Sequence, residues 1–145
     1  MMQKDNRTIA FVCTGNTCRS PMAEAIFNDM AEKNGVCVRA ESFGIATSTG
    51  LPVSENSVIA CKEIGIDLSG KVSTAVADAG IEKYEKFYCM SQSHAKMLMQ
   101  FFLVQPEKIA VLGISDPYGG DIEVYRHCRD EIVNFVKEIL KAYEN

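Results

Sequence analysis

The chain reads as an α/β protein, a single domain built on a four-stranded parallel sheet with helices on both faces. Three observations carry that reading. Strand and helix signals alternate from one end to the other. The first strand signal is an uninterrupted apolar run, as expected for a strand covered on both sides. With 145 residues, 47% of them hydrophobic, the chain can bury one sizeable core, and no repeat, low-complexity tract or linker divides it. The domain is therefore expected to occupy residues 1–145.

The elements follow in order. Strand one covers about Thr8 to Cys13, and a helix runs from Pro21, favoured in a first turn, to about Asn34, closed by Gly35. Cys37 to Ser42 reads as strand two, and Gly44 to Pro52 as a loop rich in Thr, Ser and Gly. A helix is expected from Ser54 to Glu63, stopping at Gly65. Asp67 to Lys71 is irregular, and Thr74 to Gly80 reads as a short helix. Lys86 to Met90 is strand three, Gln92 to Phe102 a helix, and Ile109 to Leu112 strand four. Asp121 is a good N-cap for a last helix. Its apolar residues Tyr125, Cys128, Ile132, Phe135, Val136, Ile139 and Tyr143 recur at helical spacing.

The richest stretch lies between strand one and the first helix: Cys13-Thr14-Gly15-Asn16-Thr17-Cys18-Arg19-Ser20. A tight loop at a helix N-terminus presents free N–H groups and a positive dipole end, so an anion belongs there. Gly15 supplies backbone freedom, Cys13 stands at the base, and Arg19 stands at the far rim. The attacking form of a cysteine is its thiolate, which helix N-termini and cations favour and to which Ser20 can donate a hydrogen bond. The planar fork of Arg19 can hold two phosphoryl oxygens at once, which a lysine cannot do. The stretch therefore reads as a phosphate-binding loop, Thr14 to Ser20, with a nucleophile inside it, rather than as an ordinary strand–helix turn holding a buried cysteine. Far downstream, Asp116-Pro117-Tyr118-Gly119-Gly120 follows strand four. In open α/β sheets ligands bind beyond the carboxyl ends of the strands, where both Cys13 and Asp116 fall.

Val12 to Glu24, together with Ser115 to Gly120, resembles the signature of the low-molecular-weight protein-tyrosine-phosphatase family, and the order of elements matches along essentially the whole chain. The resemblance implies a phosphocysteine mechanism with Cys13, Arg19 and Asp116 as catalytic residues. Cys13 would attack phosphorus, Arg19 and the loop amides would hold the equatorial oxygens, and Asp116 would act as acid and then base. It also implies that Asn16 braces the loop and that Cys18 can pair with Cys13 under oxidation. Ser42 reads equally as a brace to the loop or as an ordinary strand-end serine.

Thr17 and Tyr118 are the candidate specificity residues. Tyrosine-directed members resemble one another in an aliphatic residue at the Thr17 position and in aromatics at the pocket mouth. This chain has no Trp, and Ile45 to Thr49 holds no aromatic. Thr17 with Asp116-Pro117-Tyr118-Gly119-Gly120 resembles the protein-arginine-phosphatase branch, so phosphoarginine is slightly favoured over phosphotyrosine. Lys71 stands where relatives often carry a histidine. Arsenate reductase and a phosphocarrier or phosphopeptide-binding module are the alternative functions. The first would need a cysteine relay, which Cys89 alone does not offer, and the second would not need both Arg19 and Asp116.

Four cysteines, Cys37, Cys61, Cys89 and Cys128, read as buried structural thiols. His94 and His127 lie on predicted helices without metal-site spacing, so neither a metal nor a cofactor is expected. A formal charge of −4 without a basic run excludes nucleic acid or an anionic membrane as principal partner, leaving phosphorylated proteins. Residues 1–7 show no leader pattern and no apolar run is long enough to span a bilayer, so a cytoplasmic monomer is expected.

Overall fold

The computed structural model describes residues 7–144. The leader-free reading therefore rests on residues that fall, but for Arg7, outside the described part. Four parallel strands, β1 (Thr8–Cys13), β2 (Arg39–Gly44), β3 (Tyr84–Cys89) and β4 (Ile109–Val111), stand in the order β2-β1-β3-β4. Five helices alternate with them: α1 (Arg19–Lys33), α2 (Glu55–Lys62), α3 (Val76–Ala79), α4 (Gln92–Phe101) and α5 (Ile122–Lys141).

Both faces of the sheet are covered, and β1 shows why. Ile9, Phe11 and Cys13 point into a core shared with Met22, Ile26 and Phe27 of α1 and Ile132 and Val136 of α5. Ala10 and Val12 point the other way, against Phe43, Phe87 and Leu98. The period of two thus serves two cores, and the strand has no polar face. Ser54 and Asp121 cap α2 and α5, accepting from Ser57 N and Val124 N. Each such cap is worth about 1 kcal/mol. Among the described residues, no helix is long and apolar enough to cross a membrane.

Two expectations need correction. Strand two begins at Arg39 rather than Cys37 and runs on to Gly44. Val38 and Ala40 are buried while Cys37 and Arg39 face outward, so Cys37 is an exposed thiol and not a core one. Its alternation with Val38 reads equally well as buried or exposed until the phase is known. Cys61, Cys89 and Cys128 are buried as expected, and burial pushes each thiol up to about 12.

Candidate active site

The turn from β1 to α1 is held from outside. The carbonyls of Cys13 and Thr14 accept from Ile45 N at 2.9 Å and Ala46 N at 3.0 Å, and that of Thr17 accepts from Ser54 N at 2.8 Å. The loop carbonyls are thus bonded into the surrounding chain. The N–H groups of Gly15, Thr17 and Cys18, by contrast, donate to no backbone carbonyl among the described residues. No side chain caps α1 either. A concave run of free amides at a helix N-terminus is an anion seat.

Gly44 makes the seat possible. A Cβ there would stand 2.7 Å from the Thr14 carbonyl oxygen and 3.0 Å from the Gly15 carbonyl carbon, so only glycine lets the end of β2 pass so close.

Asn16 is the hub of the loop. It is fully buried with φ of 55°, a left-handed conformation that Asn tolerates better than most residues. Its Oδ1 accepts from Thr74 N at 2.8 Å, and its Nδ2 donates to Ser20 Oγ at 2.7 Å and Ser42 Oγ at 2.9 Å. Since both serine oxygens accept there, their own protons point onward. Ser42 donates to Glu24 Oε1 at 2.6 Å, and Lys71 Nζ holds Glu24 Oε2 at 2.8 Å. The Ser20 hydroxyl lies 2.8 Å from Cys13 Sγ, which also accepts from Asn16 N at 3.2 Å. The network therefore ends in two donors on one sulfur, an arrangement suited to a thiolate. Ser42 is a brace, not an idle strand end, and Lys71 occupies an ion pair with Glu24. Among the described residues no buried side-chain N or O lacks a partner.

Arg19 is the first residue of α1 and is 5% exposed. Its Nη1 donates to the Ile114 carbonyl at 3.0 Å, which fixes the guanidinium plane. Its Nη2 lies 3.7 Å from Asp116 Oδ2. Asp116 sits in the exposed connection between β4 and α5, where its Oδ1 accepts from Tyr118 N at 3.0 Å. A cleft of about 230 Å³ brings Cys13 through Arg19 together with Asp116 and Tyr118. Every site residue expected from the sequence lines it except Ser20, which lies buried behind. Tyr118 is 79% exposed at the mouth. Cys18 packs with Ala60 and Tyr125, its Sγ 3.5 Å from both Ser54 Oγ and the Tyr125 hydroxyl.

One neighbour of the loop escapes sequence reasoning. His94 is only 4% exposed, and its Nε2 lies 2.8 Å from Thr14 Oγ1. Ser91-Gln92-Ser93-His94 forms a capping box on α4, with His94 in the place usually held by Glu or Gln. That spacing was the available signal. Burial, helped by the charge of Arg19, lowers His94 to about 4 and keeps it neutral. Cys89 lies fully buried in β3, unlike an accessible relay thiol.

Residues 8–145 match the family model described as low molecular weight phosphotyrosine protein phosphatase. The protein-arginine-phosphatase of Bacillus subtilis is 33% identical over 142 residues, covering 92% of this chain and 94% of the relative. The solved YwlE arginine phosphatase carrying a phosphorylated active-site serine superposes with a TM-score of 0.88 at 32% identity, over 93% of this chain and 94% of its own. A low molecular weight protein tyrosine phosphatase from T. tengcongensis superposes equally well, with a TM-score of 0.89 at 32% identity, over 94% and 99%. Arginine- and tyrosine-directed enzymes thus stand at the same distance. A cysteine in an anion seat, a fixed arginine and a matching fold converge on one conclusion: the chain is a protein phosphatase, a hydrolase, of the low molecular weight phosphotyrosine protein phosphatase family.

Proposed function

We propose that this single domain, residues 1–145, dephosphorylates proteins through a phosphocysteine at Cys13 and prefers phosphoarginine to phosphotyrosine. In the first step Cys13 Sγ attacks phosphorus in line while Arg19 and the loop amides hold the three equatorial oxygens. The bond from phosphorus to the leaving nitrogen or oxygen breaks, and Asp116 gives that atom its proton. In the second step Asp116, now a carboxylate, takes a proton from water as the water oxygen attacks phosphorus. The S–P bond breaks, releasing inorganic phosphate and the thiolate. Cys18, in the same cleft, is proposed as the partner that Cys13 joins under peroxide, two thiols giving one disulfide and water.

The observation carrying the arginine preference is the wall of the cleft at Thr17. Its hydroxyl makes no side-chain hydrogen bond closer than 3.9 Å, to Cys18 Sγ, among the described residues, so it is available to a guanidinium N–H. Tyr118 is the one aromatic among the lining residues, which leaves a phenyl ring little to stack on. The test is kcat/KM on matched phosphoarginine and phosphotyrosine peptides for the wild type and Thr17→Ile. A wild-type preference for phosphoarginine that turns toward phosphotyrosine in the variant is expected. A preference for phosphotyrosine that is indifferent to Thr17→Ile would overturn the arginine reading.

A further inference from the structure

The contact between His94 and Thr14 joins a histidine of α4 to the residue next to the nucleophile, and its polarity can be worked out. Ser91 N–H donates to His94 Nδ1 at 3.1 Å, and Ser91 Oγ lies 3.0 Å from the same nitrogen. An amide N–H can only donate, so Nδ1 is the unprotonated nitrogen. The ring proton is therefore on Nε2, and the 2.8 Å contact is Nε2–H donating to Thr14 Oγ1. The Thr14 hydroxyl, having accepted there, keeps its own proton to give. Thr14 lines the cleft beside Cys13, and its residue is exposed while Cys13 is 3% exposed, so this residue is open to whatever enters the cleft.

We propose that His94 is a positioning residue that locks the Thr14 hydroxyl as a hydrogen-bond donor to a phosphoryl oxygen bound in the cleft. The inference rests on the reading of this cleft as a phosphate seat but not on the covalent step or on the substrate side chain. It adds one side-chain donor to the loop amides and Arg19. The histidine is suited to the task because it is neutral. A protonated imidazole would present N–H at both nitrogens and set Nδ1 against the Ser91 amide. Arg19 and Asp116 are the charged groups facing it, and Arg19 opposes a second cation.

The experiment is a double-mutant cycle read by two measurements, kcat/KM for p-nitrophenyl phosphate and the inhibition constant of inorganic phosphate. Thr14→Val removes the hydroxyl and keeps the shape. His94→Asn keeps an acceptor near Nδ1 but cannot reach Thr14, whereas His94→Gln can place an amide N–H near the Nε2 position. Thr14→Val and His94→Asn should each lower kcat/KM, and weaken phosphate inhibition, on the order of tenfold, and the pair together no further. His94→Gln and Thr14→Ser should return most of both. Additive losses in the double variant, a Thr14→Val enzyme equal to the wild type, or no rescue by His94→Gln would each overturn the proposal. If His94→Asn fails to fold, the contrast of Thr14→Val with Thr14→Ser, and the imidazole tautomer seen by nitrogen NMR, still decide it. A ring protonated on Nδ1 would be fatal. Binding of inorganic phosphate measured directly, by titration calorimetry, on Cys13→Ser and on Cys13→Ser with Thr14→Val separates the two readings. Binding that survives there and still falls with Thr14→Val supports this inference whatever becomes of the phosphocysteine.

Discussion

The two halves of the cleft are built in opposite ways. On one side, Cys13, Asn16, Cys18, Arg19 and Ser20 are buried, and Asn16 alone makes three side-chain hydrogen bonds. On the other, Asp116 to Gly119 is exposed apart from Pro117, and Asp116 is held by one backbone amide and a 3.7 Å approach to Arg19. The difference follows the tasks proposed for them. Donors that stabilise a transferring phosphoryl group work best when no reorganisation is needed, so they are fixed in advance. A group that must hand a proton to a departing residue and then take one from water needs contact with both, and an exposed loop provides it. The lesson is that rigidity here is spent where charge is held.

Breaking the exposed half should cost chemistry and little else. Asp116→Asn is expected to lower kcat by about 100-fold or more on poor leaving groups while leaving the urea midpoint within error, as steady-state kinetics and unfolding curves would show. Breaking the buried half should cost both. Asn16→Ala strands the Thr74 N–H and puts alanine in a left-handed conformation, so a stability loss of about 2–4 kcal/mol is expected together with a fall in kcat. Tyr118→Ala, at the exposed mouth, should stay within about 0.5 kcal/mol of wild type. If Asn16→Ala were no more damaging to stability than Tyr118→Ala, the contrast drawn between the halves would be wrong.

A further expected effect is in pH. His94 is held at about 4 in the fold against an ordinary 6.5, so the unfolded chain takes up its proton first as pH falls. The stability associated with the neutral ring is complete above pH 6.5 and is lost progressively down to about pH 4. Urea midpoints across that window should decline in the wild type and flatten in His94→Gln. An equal decline in both would assign the acid sensitivity elsewhere.

Much of this was legible in the amino-acid sequence, for physical reasons that also mark where legibility stops. Cys13, Arg19 and Ser20 are close in the chain, so a strand-loop-helix pattern places them without any tertiary knowledge. The rule about strand ends puts Asp116 on the same side of the sheet as Cys13, but on its own Asp-Pro before two glycines reads as a plain turn, and a role for it came only from the family resemblance. The four strands were found, but β2 was placed two residues early because Gly44 looks like a turn residue. Its real role, letting backbone pass within contact of Thr14, exists only once two distant segments meet. The bracing by Glu24 and Lys71 and the partnership of His94 with Thr14 are likewise long-range contacts, across 47 and 80 residues. No local pattern encodes such distances.

The central claim, a phosphoryl group carried on Cys13 and released with the help of Asp116, has a direct test. Asp116→Asn would be mixed with p-nitrophenyl phosphate, whose leaving group needs no acid, quenched in acid after milliseconds, and examined by intact-mass and peptide spectrometry. The account predicts that a phosphoryl increment accumulates and maps to Cys13, at a level well above the wild type, because hydrolysis has lost its base. Rapid turnover with no adduct, or an adduct on any residue other than Cys13, would contradict it.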